Sequence, residues 1–190
     1  LGASTFEAFF DAVGNYLALE EVATLGGFLS WLREAEQRED LSPRPEDVDR
    51  LVREVAALFE PLARAHRIVL ETTITPGPMA TLDGDAVRRI LINLLDNAIR
   101  HGGSGGTVHV SSRHDTTVLE FAVADQGPGI PPQDRERIWE PFERGEGSGS
   151  GIGLAVVRQL VLLHHGSVQI EEVAPHGACF RVTLPLMAGE

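Results

Sequence analysis

Apolar residues recur every three to four positions in several stretches of the chain, a spacing that predicts amphipathic helices. Residues 1–40 show this spacing, and two glycines at 26–27 interrupt it. Asp47 can cap a helix whose apolar stripe runs from Val48 to Leu62. A further helix begins near Asp83 or Asp85 and stops at two glycines, 102–103, and another covers residues 152–164.

Alternation of apolar and polar residues predicts strands between these helices. The strands cover residues 68–74, 107–112, 118–124, 167–173 and 178–184. Turns are expected at residues 75–78 and 114–116. The order of elements leaves few parallel crossovers, so we expect an α+β fold, a two-layer α/β sandwich with its helices on one sheet face and an N-terminal helical appendage.

The Ser-Pro-Arg-Pro sequence at 42–45 divides the chain. Each proline there disfavours helix in the residue before it, which is typical of a linker. We therefore expect a helical segment over residues 1–41 and one domain over residues 42–190. A glycine- and proline-rich stretch, residues 125–150, is long enough to have a function of its own.

The composition narrows the possible partners. The formal net charge of −12 argues against a nucleic-acid surface. The single cysteine, Cys179, cannot form an intramolecular disulfide, and no apolar run approaches the roughly 20 residues of a membrane span. With no basic and apolar leader either, we expect a cytoplasmic location. All 16 basic residues are arginine, which excludes a P-loop because that site needs a lysine.

One face of the second predicted helix is polar. Asn93, Asn97, Arg100 and His101 are spaced so that they share this face. Such a stripe is most often simply solvated. Asparagine is nevertheless a mediocre helix former, and its side-chain oxygen can bind a hard cation such as Mg²⁺.

Two glycine-rich segments admit both a structural and a functional interpretation. Asp125-Gln-Gly-Pro-Gly follows a strand directly, as a plain turn would, but its glycines would also let backbone approach a ligand. Residues 147–153, Gly-Ser-Gly-Ser-Gly-Ile-Gly, could be a flexible linker. They also lead into a helix N-terminus, where unpaired N–H groups attract phosphate.

Taken in order, these segments resemble the catalytic ATP-binding domain of bacterial two-component sensor histidine kinases, part of the wider gyrase, chaperone and kinase ATPase superfamily. Residues 93–101, Asn-Leu-Leu-Asp-Asn-Ala-Ile-Arg-His, are similar to its N box, and residues 125–129 to its first glycine box. Residues 138–144 resemble the F box and residues 149–154 the second glycine box. Residues 177–185 are similar to the final strand, and the resemblance covers about residues 42–187.

The resemblance implies a site for ATP and Mg²⁺. It assigns Asn97 to the metal, Asp125 to the adenine amino group, and residues 130–150 to a lid over the nucleotide. Phe142 would anchor that lid, and Asn93, Arg100 and Arg144 would be the catalytic residues on the phosphate side. The full set assigned to nucleotide binding is Asn93, Asn97, Arg100, His101, Asp125, Gly127, Gly129, Ile130, Phe142, Gly149, Gly151, Gly153, Leu154 and Thr183.

The residue at position 93 bears on the reaction. Water-hydrolysing members of the superfamily carry a glutamate there as general base, whereas this chain has Asn93. An amide cannot take a proton from water at neutral pH. We therefore expect transfer of the γ-phosphoryl group to a histidine rather than rapid hydrolysis.

The histidine that would accept the phosphoryl group is missing from its expected place. The family carries it on an upstream helical hairpin, but the first histidine of this chain is His66, and Asn15 stands in a weak match to the acceptor motif. Residues 1–41 could be the tail of that hairpin, a segment foreign to the family, or an appendage that packs or dimerises. The expected partners are the acceptor histidine of a dimerisation hairpin in the same or a partner chain and, indirectly, a response regulator. We expect a homodimer in the full-length protein, and the chain could be the cytoplasmic part of a membrane-anchored sensor.

Two other functions stay open at this point. Without the acceptor histidine, the chain could be a nucleotide-binding regulatory module that performs no phosphotransfer. A serine kinase of anti-sigma switches shares the fold but fits the F box and the second glycine box less well.

Overall fold

A computed structural model of the chain describes residues 43–141 and 151–186. The helical segment expected over residues 1–41 lies outside the described residues, and so do Phe142, Arg144 and Gly149. The position of the domain boundary stays a prediction.

Three α-helices are present in the described ranges. They are α1 (Val48–Ala65), α2 (Gly84–His101) and α3 (Gly153–Leu163). Asp47 and Asp83 cap α1 and α2, because each side chain accepts a hydrogen bond from a first-turn backbone N–H, at 2.9 and 3.0 Å. Gly102 ends α2. These boundaries lie within a few residues of those that the apolar spacing predicted.

Five strands form the main sheet. They are β2 (Val69–Ile74), β4 (Thr107–His114), β5 (Val118–Ala124), β6 (Ser167–Glu172) and β7 (Ala178–Pro185), and their order across the sheet is β2-β4-β5-β7-β6. The β2–β4 pair is parallel and the other pairs are antiparallel, so the sheet is mixed. The α+β sandwich is thereby confirmed.

A second, two-stranded sheet was not predicted. Strand β1 (Arg44–Glu46) pairs antiparallel with β3 (Ala80–Leu82), in the place where the two prolines suggested a linker. Proline is compatible with such a strand because an edge strand can do without one N–H donor. Both strands have only three residues, too few for alternation to reveal them.

The core lies between the helices and one face of the main sheet. Helix α2 contacts both α1 and α3, and it buries Ile90, Leu91, Leu94 and Leu95 completely. Phe121 and Phe180 of the central strands are also almost fully buried. Burying one such side chain stabilises the fold by roughly 1.5–3 kcal/mol. This packing fixes α2, and therefore the direction of its polar face.

The opposite face of the sheet carries charged side chains. Arg181 on β7 binds Glu171 on β6 through two hydrogen bonds of 2.7 and 2.9 Å, and it binds Glu120 on β5 at 3.0 Å. Arg113 on β4 also binds Glu120. Bonds from Arg113 lower the pKa of Glu120, and bonds from Arg181 lower the pKa of Glu171. We call these four residues the open-face charge cluster.

Candidate functional site

Asp125 lies immediately after β5, at the end of the sheet next to the C-terminus of α2. Only 4% of the residue is exposed. Its Oδ1 accepts hydrogen bonds from the backbone N–H groups of Gly127, at 2.9 Å, and Ala178, at 3.4 Å. Among the described residues, both of these hydrogen bonds go to Oδ1 and none goes to Oδ2. Oδ2 of the same carboxylate can therefore accept a hydrogen bond from a ligand.

Burial acts on the charge of Asp125. Desolvation raises the pKa of this carboxyl, while the bonds from Gly127 and Ala178 and the nearby His101 act in the opposite direction. Holding an ionised carboxylate here costs the folded state free energy. A buried carboxylate with such a cost at the end of a strand is typical of a functional site.

Backbone segments approach one another closely around Asp125, and only glycine fits between them. A Cβ atom on Gly127 would lie 2.2 Å from the carbonyl oxygen of His101, and one on Gly177 would lie 2.0 Å from that of Asp125. Real Cβ contacts are never this short. The loop after β5, the end of α2 and the turn between β6 and β7 therefore form one tightly packed unit.

The polar face of α2 leads from this unit toward the start of α3. Asn93 and His101 are eight residues apart, which is about 12 Å along the helix. The Asn93 Nδ2 donates to the carbonyl oxygen of Arg89 at 2.8 Å, so its Oδ1 points away from the helix backbone. That oxygen lies 2.8 Å from where a Cβ of Gly153 would be. Asn97 is half-buried one turn beyond Asn93.

Helix α3 begins differently from the other two helices. Its N-cap is Ile152, which makes no side-chain capping bond, whereas aspartates cap α1 and α2. The first N–H groups of α3 are consequently left for another acceptor, and they carry the positive end of the helix dipole. The start of α3 lies beside the Asn93 oxygen, so a phosphate and an oxygen-preferring cation could both be held there.

The remaining residues on the polar face of α2 are exposed. The Arg100 Nε donates to both carboxylate oxygens of Asp96, at 2.8 and 2.9 Å. His101 is exposed at the last position of α2. Both lie within one turn of Asn97, as the spacing predicted.

The structure brings together most of the predicted residues that it describes. Gly129 packs against Gly177, and Ile130 is half-buried at the start of the next segment. Gly151 and Leu154 flank the first turn of α3 and are half-buried. The contributions assigned to Phe142, Arg144 and Gly149 stay predictions because these residues lie outside the described ranges.

Thr183 does not join this group. It lies on the open face of β7, in register with Glu120 of β5. Asp125 follows the other end of β5, five residues from Glu120, which is about 17 Å along a strand. Because the sheet and this distance separate Thr183 from the other residues, we leave it out of the site.

The sequence did not single out two contributors from the β6–β7 turn. One is the backbone N–H of Ala178, which binds Asp125. The other is His176, whose Nδ1 lies 3.1 Å from the carbonyl oxygen of Gln126 and 3.0 Å from that of Gly127. The contact joins residues 49 positions apart, and no local pattern signals it.

The described residues contain no group of three or more histidine, cysteine, aspartate or glutamate side chains able to hold a metal ion. In the same ranges no helix has the length and apolar character to cross a membrane.

Comparison with known proteins agrees with this geometry. Residues 82–188 match the family described as histidine kinase-, DNA gyrase B-, and HSP90-like ATPase. The sensor histidine kinase TmoS of Ectopseudomonas mendocina is 36% identical over 162 residues, which cover 81% of this chain and 16% of TmoS. The chain thus spans about one sixth of the length of this relative.

Solved structures show the same similarity. Full-length ShkA in complex with AMPPNP matches with a TM-score of 0.71 and 32% identity, over 79% of this chain and 32% of ShkA. The nucleotide-free catalytic domain of the histidine kinase ThkA matches with a TM-score of 0.70 and 28% identity, over 76% of this chain and 96% of that domain.

Proposed function

The chain belongs to the histidine kinase-, DNA gyrase B- and HSP90-like ATPase family, with an ATPase domain of the kind found in sensor histidine kinases, and we propose that it binds Mg-ATP and donates the γ-phosphoryl group to a histidine. One observation carries the proposal. Helix α2 connects a buried carboxylate, Asp125, to the uncapped start of α3 beside Asn93. Asn93 and His101 are about 12 Å apart along α2, so an acceptor for a base and donors for phosphates would lie toward opposite ends of its polar face.

At one end, the chain recognises the base through Asp125. A carboxylate only accepts hydrogen bonds, so its Oδ2 fits an amino group such as that of adenine and disfavours a carbonyl oxygen at the same place. Gly127 lets the loop after β5 pack against the end of α2, because a side chain there would collide with the carbonyl oxygen of His101, and this packing keeps Asp125 in place.

At the other end, the first turn of α3 and the α2 polar face receive the phosphates. Asn97 and the outward oxygen of Asn93 fit an oxygen-preferring cation, and the absence of a carboxylate cluster among the described residues suits Mg²⁺ held mainly by phosphates and water. When bound, Mg²⁺ would neutralise phosphate charge. Arg100 lies one turn beyond Asn97, and its guanidinium, which binds Asp96, would turn toward phosphate oxygens when nucleotide is bound.

The same residues disfavour hydrolysis. Neither Asn93 nor Asn97 can act as a general base toward water. An imidazole nitrogen is already a nucleophile and needs mainly positioning and charge neutralisation for attack on phosphorus. Transfer to a histidine is therefore the reaction that this arrangement supports best. Arg144 would assist on the phosphate side.

The partners follow from this reaction. The acceptor would be a histidine on a dimerisation hairpin, in the same or a partner chain, and a response regulator would receive the phosphoryl group afterwards. We place the reaction in the cytoplasm, where ATP is available, and in a homodimer of the full-length protein.

Incubation with γ-³²P-labelled ATP tests the proposal. The purified chain is mixed with a separate His-bearing hairpin and Mg²⁺, and the hairpin should acquire label that acid removes. Matched controls are an Asn97→Ala chain and a hairpin whose histidine is replaced by glutamine, and neither mixture should give labelled hairpin. Binding of ATP without label on any hairpin would instead support a regulatory module.

A further inference from the structure

His176 lies in the turn between β6 and β7, between the family motifs at residues 149–154 and 177–185, and its ring touches the loop that carries Asp125. The Nδ1 atom is within 3.1 Å of the carbonyl oxygens of both Gln126 and Gly127. A carbonyl oxygen can only accept, so the hydrogen must be on Nδ1. This fixes the ring's tautomer when it is neutral, and one N–H is shared between two acceptors.

The other hydrogen bonds of this loop are made by Asp125, its first residue, and by the side chain of Gln126. The backbone N–H of Asp125 donates to Ala178 at 2.8 Å, and the Asp125 carboxylate binds Gly127 and Ala178. The Gln126 side chain turns toward β4, where its Oε1 accepts from the N–H of Thr107 at 2.9 Å. None of these bonds holds the carbonyl groups of Gln126 and Gly127.

A cavity of about 330 Å³ adjoins the loop at this point. Its lining consists of the glycine-rich segment after α2 together with Gln126, Pro175 and His176. Empty space beside a peptide group means that packing does not prevent that group from moving there. The bond from His176 therefore restrains these carbonyl groups on the side of the loop that faces the cavity, whereas close backbone packing restrains the loop on its other side.

We propose that His176 is a positioning residue: by holding the carbonyl groups of Gln126 and Gly127, it sets the position of the Gly127 N–H and hence of the Asp125 carboxylate that reads the base. This inference rests on the proposed ATP-binding function and extends it to a side chain in a distant turn. His176 itself need not touch the nucleotide. Its effect should appear in affinity and base preference.

Two isosteric substitutions separate this role from a general structural one. The amide nitrogen of asparagine can take the place of Nδ1, whereas that of glutamine takes the place of Nε2. We expect His176→Asn to retain the bond and His176→Gln to lose it, as His176→Ala does. Since one hydrogen bond contributes about 1 kcal/mol, loss should weaken ATP binding by about fivefold or more.

The experiment uses the full chain in two arms. Calorimetry with Mg-ATP and Mg-GTP gives affinity and base preference for the parent and the three variants. Hydrogen exchange of residues 125–129 without nucleotide reports the restraint directly. We expect faster exchange, weaker ATP binding and a reduced preference for ATP in His176→Ala and His176→Gln, and values close to the parent in His176→Asn.

The two arms also distinguish the possible failures. If Asn and Gln variants behave alike in both arms, or if exchange is unchanged in all three variants, the positioning role is wrong. If the parent chain binds no ATP, the proposed function is wrong instead. The hydrogen exchange of residues 125–129 then shows by itself whether His176 restrains the loop. If all three variants lose the same thermal stability, and His176→Asn and His176→Gln do not differ in exchange or affinity, His176 contributes only packing. This outcome would contradict the proposal.

Discussion

At the scale of single residues, Asp125 illustrates a conflict between binding and stability. Its carboxylate is buried after β5, with two backbone donors on Oδ1. Burial raises its pKa, so the folded chain binds this proton more tightly than the unfolded chain, in which an aspartate titrates near 3.8. Stability therefore falls as the pH rises from about 3.8 through the raised value, and at neutral pH the full cost is present.

Replacing the Asp125 carboxylate by an amide should raise the stability of the chain and lower its affinity for ATP. We expect Asp125→Asn to be more stable than the parent at pH 7, by about 0.5–2 kcal/mol, because the amide oxygen keeps both backbone bonds without a buried charge. Urea unfolding at pH 7 and below pH 3.8 measures this, and the difference should shrink in acid. ATP affinity should fall at least tenfold. A variant that is less stable at pH 7 yet binds ATP normally would contradict this account.

How far residues could be identified from the sequence depended on the range of their contacts. Asp125 and Gly127 are two residues apart, and the pattern of a strand followed by Asp-x-Gly was enough to single them out. His176 contacts the same loop from 49 residues away, and its neighbours along the chain carry no motif that would single it out. The resemblance assigned Thr183 to nucleotide binding, but alternation along β7 turns it to the open face.

At the scale of elements, the β6–β7 turn supports the site through close backbone packing. Gly177 has a φ of +140°, and a side chain there would meet the carbonyl oxygen of Asp125. Gly105 also has a positive φ, +85°, but no atom lies within 4 Å of its Cβ position. The two glycines therefore differ in crowding while both require an unusual backbone conformation.

Alanine substitutions at these two glycines should differ in cost. We expect Gly105→Ala to destabilise the chain by about 1–2 kcal/mol through backbone strain alone. Gly177→Ala should cost about 3 kcal/mol or more, because strain and a steric clash add, and it should weaken ATP binding as well. Denaturant unfolding of both variants makes the comparison. Equal losses of unfolding free energy in the two variants would show that the β6–β7 turn does not approach Asp125 as described.

The open-face charge cluster predicts a separate response to acid. The pKa values of Glu120 and Glu171 lie below the ordinary 4.5, so their contribution to stability is complete above pH 4.5 and is lost as the pH falls through the lowered values. Arg181→Met should reduce stability at pH 7 and flatten the dependence below pH 4.5.

Thermal unfolding between pH 3 and pH 7 tests this expectation. Arg64→Met, which breaks an exposed pair with Glu60 on α1, is the matched control and should leave the acid dependence as in the parent. If stability falls with pH in Arg181→Met in parallel with the parent, the cluster contributes nothing to the acid dependence of stability.

The prediction of elements succeeded where a buried face imposes a period. Helix α2 could be placed from its apolar spacing and from the capping Asp83, because all its buried residues contact one core. The β1–β3 pair could not, since three residues contain no period and the prolines at 43 and 45 resemble a linker. The strand order β2-β4-β5-β7-β6 also required the structure, because pairing between distant segments leaves no local pattern.

At the scale of the whole molecule, the sandwich uses its two sheet faces differently. The covered face holds α2 so that its polar side connects Asp125 with the start of α3, while the open face carries the charge cluster. The net charge of −12 would repel ATP at long range. Under the proposed function, local positive groups, namely the first turn of α3, Arg100 and a bound Mg²⁺, would provide the attraction, so we expect nucleotide binding to depend strongly on the cation.

Calorimetric titration with AMPPNP, in Mg²⁺ and in EDTA, tests the account's central claim most directly. We expect the parent to bind AMPPNP in Mg²⁺ and to lose at least tenfold in affinity in EDTA. Asn97→Ala should bind equally weakly in both conditions, while the control Asp85→Ala, exposed on the first turn of the same helix, should match the parent. Equal affinity of the parent and Asn97→Ala in Mg²⁺ would contradict a nucleotide site on the polar face of α2.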